Sequence, residues 1–141
     1  MAEQQRRRSY DETVIRDVKG VNEDFVLHMS AGRPLREAVD FLAQHRIGLT
    51  LIIASDGGLA GVISERDVIR ALYEHGNDAM GIAVDKFMTR DVMTCTDDDR
   101  VVDVAKLMSD HHIRHMPIVE GSFLAGMVSA TDIVRHFASR A

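Results

Sequence analysis

The sequence predicts an α/β (α+β) fold: tandem βαββα modules packed through their sheets with pseudo-two-fold symmetry. Two observations carry the duplication. The segment Gly61-Val62-Ile63-Ser64-Glu65-Arg66-Asp67-Val68-Ile69-Arg70 returns 65 residues later as Gly126-Met127-Val128-Ser129-Ala130-Thr131-Asp132-Ile133-Val134-Arg135. Upstream, the stretch from Pro34 to Leu42 matches Arg100 to Met108 at an offset of 66. A third observation locates the lost residue, because Ser55-Asp56-Gly57-Gly58 is answered by the shorter Glu120-Gly121-Ser122. A turn between paired strands absorbs such a deletion while strand register on the core side is kept.

Each copy then reads the same way in order. A short apolar strand opens it, Phe25 to Leu27 and Val92 to Cys95. An amphipathic helix follows, with apolar residues at Leu35, Ala38, Val39 and Leu42, and at Val101, Val104, Ala105 and Met108. Their i, i+3, i+4, i+7 spacing places them on one helical face. Two strands flank the Gly-containing turn, Leu49 to Ala54 with Leu59 to Ile63, and Met116 to Val119 with Phe123 to Val128. The second helix starts at once and is expected to turn Val68, Ile69 and Leu72, or Ile133, Val134 and Phe137, inward. These elements divide the chain into a basic tail over 1–12, a first module over 13–76 and a second over 77–141. Two helices cover only one face of a three-stranded sheet, so the copies are expected to pack sheet against sheet. A cleft at that seam then occurs twice.

A chain of 141 residues with 45% hydrophobic content is long enough to bury a core. Its net charge of −5 argues against a nucleic-acid surface, so no DNA partner is expected. The basic run Arg6-Arg7-Arg8 reads first as a solvated tail, with partner or nucleic-acid contact as the alternative. One cysteine, Cys95, permits neither an intrachain disulfide nor a Cys-based zinc site, which fits a reducing cytoplasm. It lies in an apolar stretch and reads as a buried thiol. The longest apolar runs are strand-sized and no signal-peptide core is present, so neither secretion nor a membrane span is expected.

The chemistry concentrates at Ser-x-x-Asp, which marks both strand-to-helix junctions as Ser64 to Asp67 and Ser129 to Asp132. Ser at an N-cap with an acidic residue three positions on is a capping box. The same residues also suit a ligand: free N–H groups at a helix start favour an anion, and a carboxylate one turn in can accept both hydroxyls of a ribose. On these residues alone, capping and ribose binding both stand. A second segment, His111-His112-Ile113-Arg114-His115-Met116-Pro117, carries three histidines. Only His111 and His115 have helical i, i+4 spacing, with no carboxylate at a metalloprotease position, so no metal is expected. Arg114 and His115 suit a phosphate better, since Arg offers a planar fork of donors. Met88, Met93, Met108 and Met116 read as core first and ligand lining second. No nucleophile elbow, Walker loop or G-x-G-x-x-G is present, so no enzyme activity is expected.

Taken together, these motifs resemble the CBS-domain pair, or Bateman module, from about Val14 to Phe137. The likeness is carried by Ile47-Gly48 before an apolar strand, Gly61 to Asp67, Phe87-Met88-Thr89-Arg90-Asp91-Val92, Arg114 to Val119, and Gly126 to Asp132. It implies a regulatory or sensor module whose two clefts bind adenosyl compounds: AMP first, or ADP, ATP, NAD(H) or S-adenosylmethionine. By the same likeness Asp67 and Asp132 hold ribose hydroxyls, with Ser64, Arg66, Ser129 and Thr131 near sugar or phosphate. Arg114 and His115 face phosphates, followed by Met116 and Pro117. The segments preceding each module, Val18-Lys19 and Met88-Thr89, are implied to cradle adenine. The copies differ, for the first has His45-Arg46-Ile47-Gly48-Leu49 where the second has its basic pair, but it keeps Arg66 against Thr131. The resemblance further implies a homodimer, head to head or head to tail, joined through Val68, Leu72, Ile133 and Phe137. Its members usually regulate an attached enzyme or channel, for which this chain leaves no room, so a separate partner is expected. The alternative is a ligand-independent dimerisation or interaction module.

Overall fold

Both Gly-containing turns close antiparallel hairpins, and each hairpin organises one of two units. A computed structural model describes residues 12–18 and 27–139. One unit spans residues 27–92 and contains β1 (His28–Ser30), α1 (Leu35–His45), β2 (Leu49–Ile53), β3 (Leu59–Ser64) and α2 (Glu65–His75). The other contains α3 (Val101–His111), β4 (His115–Glu120), β5 (Phe123–Ser129) and α4 (Ala130–Ser139).

The duplication extends to backbone irregularities. In the first hairpin Ile52 pairs with Gly61, in the second Ile118 pairs with Gly126, and the register shifts immediately after each pair. The missing residue therefore falls beyond the bulge, in the turn. Gly57 (φ 89°) and Gly121 (φ 63°) supply the left-handed backbone those turns require. Arg46 and His112, 66 residues apart, both end the preceding helix at φ 54°. A non-glycine residue at this position is uncommon, so its recurrence marks shared ancestry of the two turns.

Both first helices bury the expected face. Leu35, Ala38 and Leu42 are buried with Val39 partly so, and Val101, Val104 and Met108 repeat the pattern. Each fully buried leucine, valine or methionine among them contributes roughly 1.5–3 kcal/mol by leaving water. Leu35 and Ile52 meet Ile63 and Val84 in the first core, while Val101 and Ile118 meet Met116 and Val128 in the second.

Several expectations are corrected. The opening strand of the first unit is His28–Ser30, which runs parallel to β2. Leu27 precedes it, its carbonyl accepting the Thr50 hydroxyl at 3.2 Å; Phe25 and Val26 lie outside the described residues, as do Lys19 and the tail through residue 11. In the second unit the strand from Val92 to Cys95 shrinks to one bridge, Cys95 to Ile118, matching Met29 to Ile52 in the first. In the second helices Val68, Ile133 and Phe137 pack on the cores as expected, but Ile69 and Val134 do not. Val68 and Ala71 point inward, as does Ile133, whereas Ile69 is 66% exposed and Val134 67%. The capping residue Asp67 is itself buried, and it draws the face one step further on, at i+1 and i+4, into the core.

The two compact units are each built from segments that the order of the motifs does not show. Residues 77–92 stay with the first unit, where short 3₁₀ turns at Gly76–Gly81 and Val84–Lys86 bury Ala79 and Val84. The N-terminal segment joins the second. Ile15 and Arg16 donate backbone N–H groups to the carbonyls of Asp99 and Asp97, and Val101 donates to Thr13. Ile15 and Val18 are buried in the second core. Ile15→Ala is therefore expected to cost about 2–5 kcal/mol, the usual range for truncating a buried isoleucine. A lower urea midpoint with an unchanged m-value checks this; an unaltered midpoint would remove the segment from the core.

Candidate functional site

Each junction passes from strand to helix without a loop, so the first helical N–H groups need partners on the spot. In the first unit Ser64 is the N-cap of α2, and its Oγ accepts from the Asp67 N–H at 3.2 Å. Asp67 Oδ2 accepts in return from the Ser64 N–H and hydroxyl, both at 2.9 Å. Its other oxygen, Oδ1, accepts from Arg70 Nη2 at 2.8 Å. Asp67 is only 4% exposed, and this network keeps its charge partnered.

The second junction repeats the box with fewer bonds. Ser129 donates its N–H to Asp132 Oδ2 at 3.0 Å, and the Asp132 N–H donates to Ser129 Oγ at 3.0 Å. Among the described residues Asp132 Oδ1 takes no hydrogen bond. Both helices are also tied to the preceding turn, for Glu65 donates its N–H to the Gly48 carbonyl at 3.0 Å and Ala130 to that of Arg114 at 2.8 Å. Arg114 is thereby held beside the start of α4, with His115 next on the strand; both are exposed. At the matching place the first unit has Gly48, where a Cβ would stand 2.8 Å from Glu65 Oε1. At this one position the first junction has a carboxylate and the second a guanidinium-bearing residue.

Met88 and Thr89 are brought to the first junction. Thr89 exchanges two backbone hydrogen bonds with Val62 on β3, at 2.8 and 2.9 Å. Gly61 makes this approach possible, since a Cβ there would lie 2.5 Å from the Thr89 carbonyl oxygen and 3.1 Å from the Met88 side chain. Arg70 Nη2 reaches the Phe87 carbonyl at 3.5 Å, so Arg70 links Asp67 to this segment. Sequence reasoning did not single out Arg70, although its spacing of three from Asp67 was a usable signal. Met88 and Met116 are core residues, Pro117 is buried, and Arg66, Thr131 and Thr89 are exposed. Among the described residues no three His, Cys, Asp or Glu side chains group to hold a metal ion.

A cavity of about 430 Å³ lies between α1 and α2 in the first unit. It is lined chiefly by apolar residues, including Leu42, Ile47, Val68 and Ile69, and reaches Gly48 and Glu65 at the edge of the junction, with neither Ser64 nor Asp67 in its wall.

Two copies of a hairpin-and-helix unit, each with a capped Ser-x-x-Asp junction, define a duplicated module. The chain belongs to the CBS domain family, whose model matches residues 15–74 and 84–139. The mitochondrial CBS domain-containing protein CBSX3 of Arabidopsis thaliana is 31% identical over 134 residues. That match covers 89% of this chain and 65% of CBSX3, so the chain spans less than two thirds of this relative. The CBS domain pair of protein MJ0100, solved with 5′-methylthioadenosine and S-adenosyl-L-methionine, superposes with a TM-score of 0.72 at 27% identity. It matches 92% of this chain and 98% of that one. L-aspartate semialdehyde sulfurtransferase of Methanocaldococcus jannaschii is 31% identical over 107 residues, which cover 75% of this chain but 20% of that protein.

Cys95 offers no nucleophile. It is buried, and desolvation first, then the charges of Asp99 and Asp97, push its thiol up to about 12. A thiol in an unfolded chain titrates near about 8.5. Between these values the unfolded chain has lost a proton that the folded chain keeps, so this contribution to stability is whole below the lower value and declines as pH rises toward the upper. Denaturation midpoints taken from pH 7 to 10.5 should fall more steeply for the native sequence than for Cys95→Ala. Parallel slopes would contradict the shift.

Proposed function

We propose that this chain is a regulatory CBS pair that binds an adenosyl ligand, AMP or a related ADP, ATP, NAD(H) or S-adenosylmethionine, and conveys its occupancy to a partner protein. The observation that carries this is the Asp132 carboxylate, fixed through one oxygen by Ser129 and open at the other, one turn into a helix that starts beside Arg114. A vicinal diol finds a rigid acceptor there, and a phosphate finds Arg114 and the helix N-terminus. The adenosyl compounds bound by MJ0100 support the class of ligand. Arg114 and His115 favour a phosphate-bearing member at the second junction, with Thr131 and Ser129 beside it. At the first junction Ser64, Arg66 and Asp67 play the corresponding parts, with Met88 and Thr89 beside the base.

The chain is proposed to act without catalysing a reaction, in the cytoplasm, with no membrane or DNA partner. Among the described residues no helix is long and apolar enough to cross a membrane. Ligand occupancy can shift the protein between states only through different affinity for them, so the partner is proposed to read a conformational preference. The ligand should raise the melting temperature by mass action on the native state. A millimolar panel of AMP, ATP, NAD and S-adenosylmethionine that leaves the melting temperature unmoved would defeat this reading. A charge-assisted hydrogen bond contributes about 1.5–3 kcal/mol, so Asp132→Ala should weaken binding by roughly tenfold to a hundredfold in calorimetry.

One observation favours the alternative of a ligand-independent interaction module: both carboxylates already serve capping boxes. In that case Asp132→Ala lowers stability by about 0.5–2 kcal/mol while partner binding survives.

A homodimer is also proposed. The surface that supports it differs from the expected one, since Val68 and Ile133 are buried. On α2, Ile69, Leu72 and the 90% exposed Tyr73 are large apolar residues left in water. Sedimentation velocity should give a dimer for the native sequence and a monomer for Ile69→Asp/Tyr73→Asp; a native monomer would refute it.

A further inference from the structure

The two junctions share a motif, but they dispose of their carboxylates differently. An ionised carboxylate offers about four lone-pair sites, and a vicinal diol needs two of them. Asp67 has three taken, by the Ser64 N–H, the Ser64 hydroxyl and Arg70 Nη2. Among the described residues Asp132 has one taken, by the Ser129 N–H. The second junction can accept a diol as it stands; the first lacks room for two more hydrogen bonds.

The decisive group is Arg70. It holds Asp67 Oδ1 at 2.8 Å, the oxygen the capping box leaves over, and the same nitrogen touches the Phe87 carbonyl at 3.5 Å. Asp67 is almost fully buried while the Arg70 side chain is half exposed, so the guanidinium lies on the solvent side of the carboxylate. Arg135 follows Asp132 by the same three positions, yet it makes no hydrogen bond or ion pair with Asp132 among the described residues. Arg70 has a second acceptor in the Phe87 carbonyl beside β3.

We propose that Arg70 is an internal competitor for the ribose-binding carboxylate of the first junction, so that the second junction fills first and the first accepts a ligand only when Arg70 is displaced. This rests on the reading of Asp67 and Asp132 as ribose acceptors. The consequence is a protein with two unequal sites, whose second equivalent of ligand must break an ion pair that the first does not meet. Arg70 thereby sets the concentration range over which the second equivalent binds.

The test isolates the first junction in the Asp132→Ala chain and titrates it calorimetrically with AMP, with and without Arg70→Gln. Removing a cation should by itself weaken the binding of an anionic ligand. The proposal requires the opposite, a gain of about tenfold, the equivalent of one charge-assisted hydrogen bond released for the ligand. With 2′-deoxy-AMP, which has no vicinal diol, the gain should vanish. In the native chain AMP should bind in two steps, the tighter one lost in Asp132→Ala. Equal or weaker AMP binding after Arg70→Gln overturns the proposal, as does an equal gain with 2′-deoxy-AMP or two equivalent sites in the native chain. If AMP, ATP, NAD and S-adenosylmethionine all leave the native chain unbound, the ribose reading itself falls and takes this proposal with it. The two failures are therefore distinguishable by whether the native chain binds.

Discussion

The capped passage from strand to helix is the constraint on which each unit depends. β3 ends at Ser64 and α2 begins at Glu65; β5 ends at Ser129 and α4 begins at Ala130. With no loop between them, the first helical N–H groups would be left in a partly buried place without acceptors. The serine hydroxyl takes one of them, and the aspartate takes the N–H of the serine. The carbonyl of Gly48 or Arg114 takes another. These bonds fix both the position and the rotation of the helix, and so decide which face meets the core. Losing such a cap costs about 1 kcal/mol, a large share of the margin by which a small unit is stable.

That fixed rotation explains where the sequence was readable and where it was not. The first helices have four apolar residues at helical spacing and nothing else to orient them, so Leu35, Ala38 and Leu42 could be assigned from periodicity. In α2 the apolar residues Val68, Ile69 and Leu72 admit two phases. The buried carboxylate of Asp67 selects the phase that sends Ile69 outward, and a polar residue on the inner face is invisible to a hydrophobic count. The hairpins were legible for the opposite reason: their glycines and their register are local. The attachment of Ile15 and Val18 to the second core is not local at all. It depends on backbone bonds to Asp97 and Asp99, more than eighty residues away, and a short apolar run carries no mark of its distant partner.

The candidate site was legible as a motif and as an asymmetry, but not as a network. Ser64, Asp67, Ser129 and Asp132 were recoverable from their spacing, and Arg114 from its place before a strand. What spacing did not convey is how many bonds each carboxylate already makes. Gly61 is a similar case. Its role is visible only once Thr89 stands against it, 2.5 Å from where a Cβ would be.

A capping aspartate has two oxygens, and the box needs only one of them. This is how one residue can serve the fold and a ligand together: Oδ2 holds the helix start in both units, and Oδ1 is left over. The second unit leaves that oxygen open, whereas the first fills it with Arg70. The Arg70–Asp67 pair joins a half-exposed guanidinium to a buried carboxylate, so it lies at the point where a ligand would arrive from solvent. Its effect is on competition, since any group seeking Oδ1 must first replace a charged donor already in place. One such pair can therefore separate the affinities of two sites that share a motif.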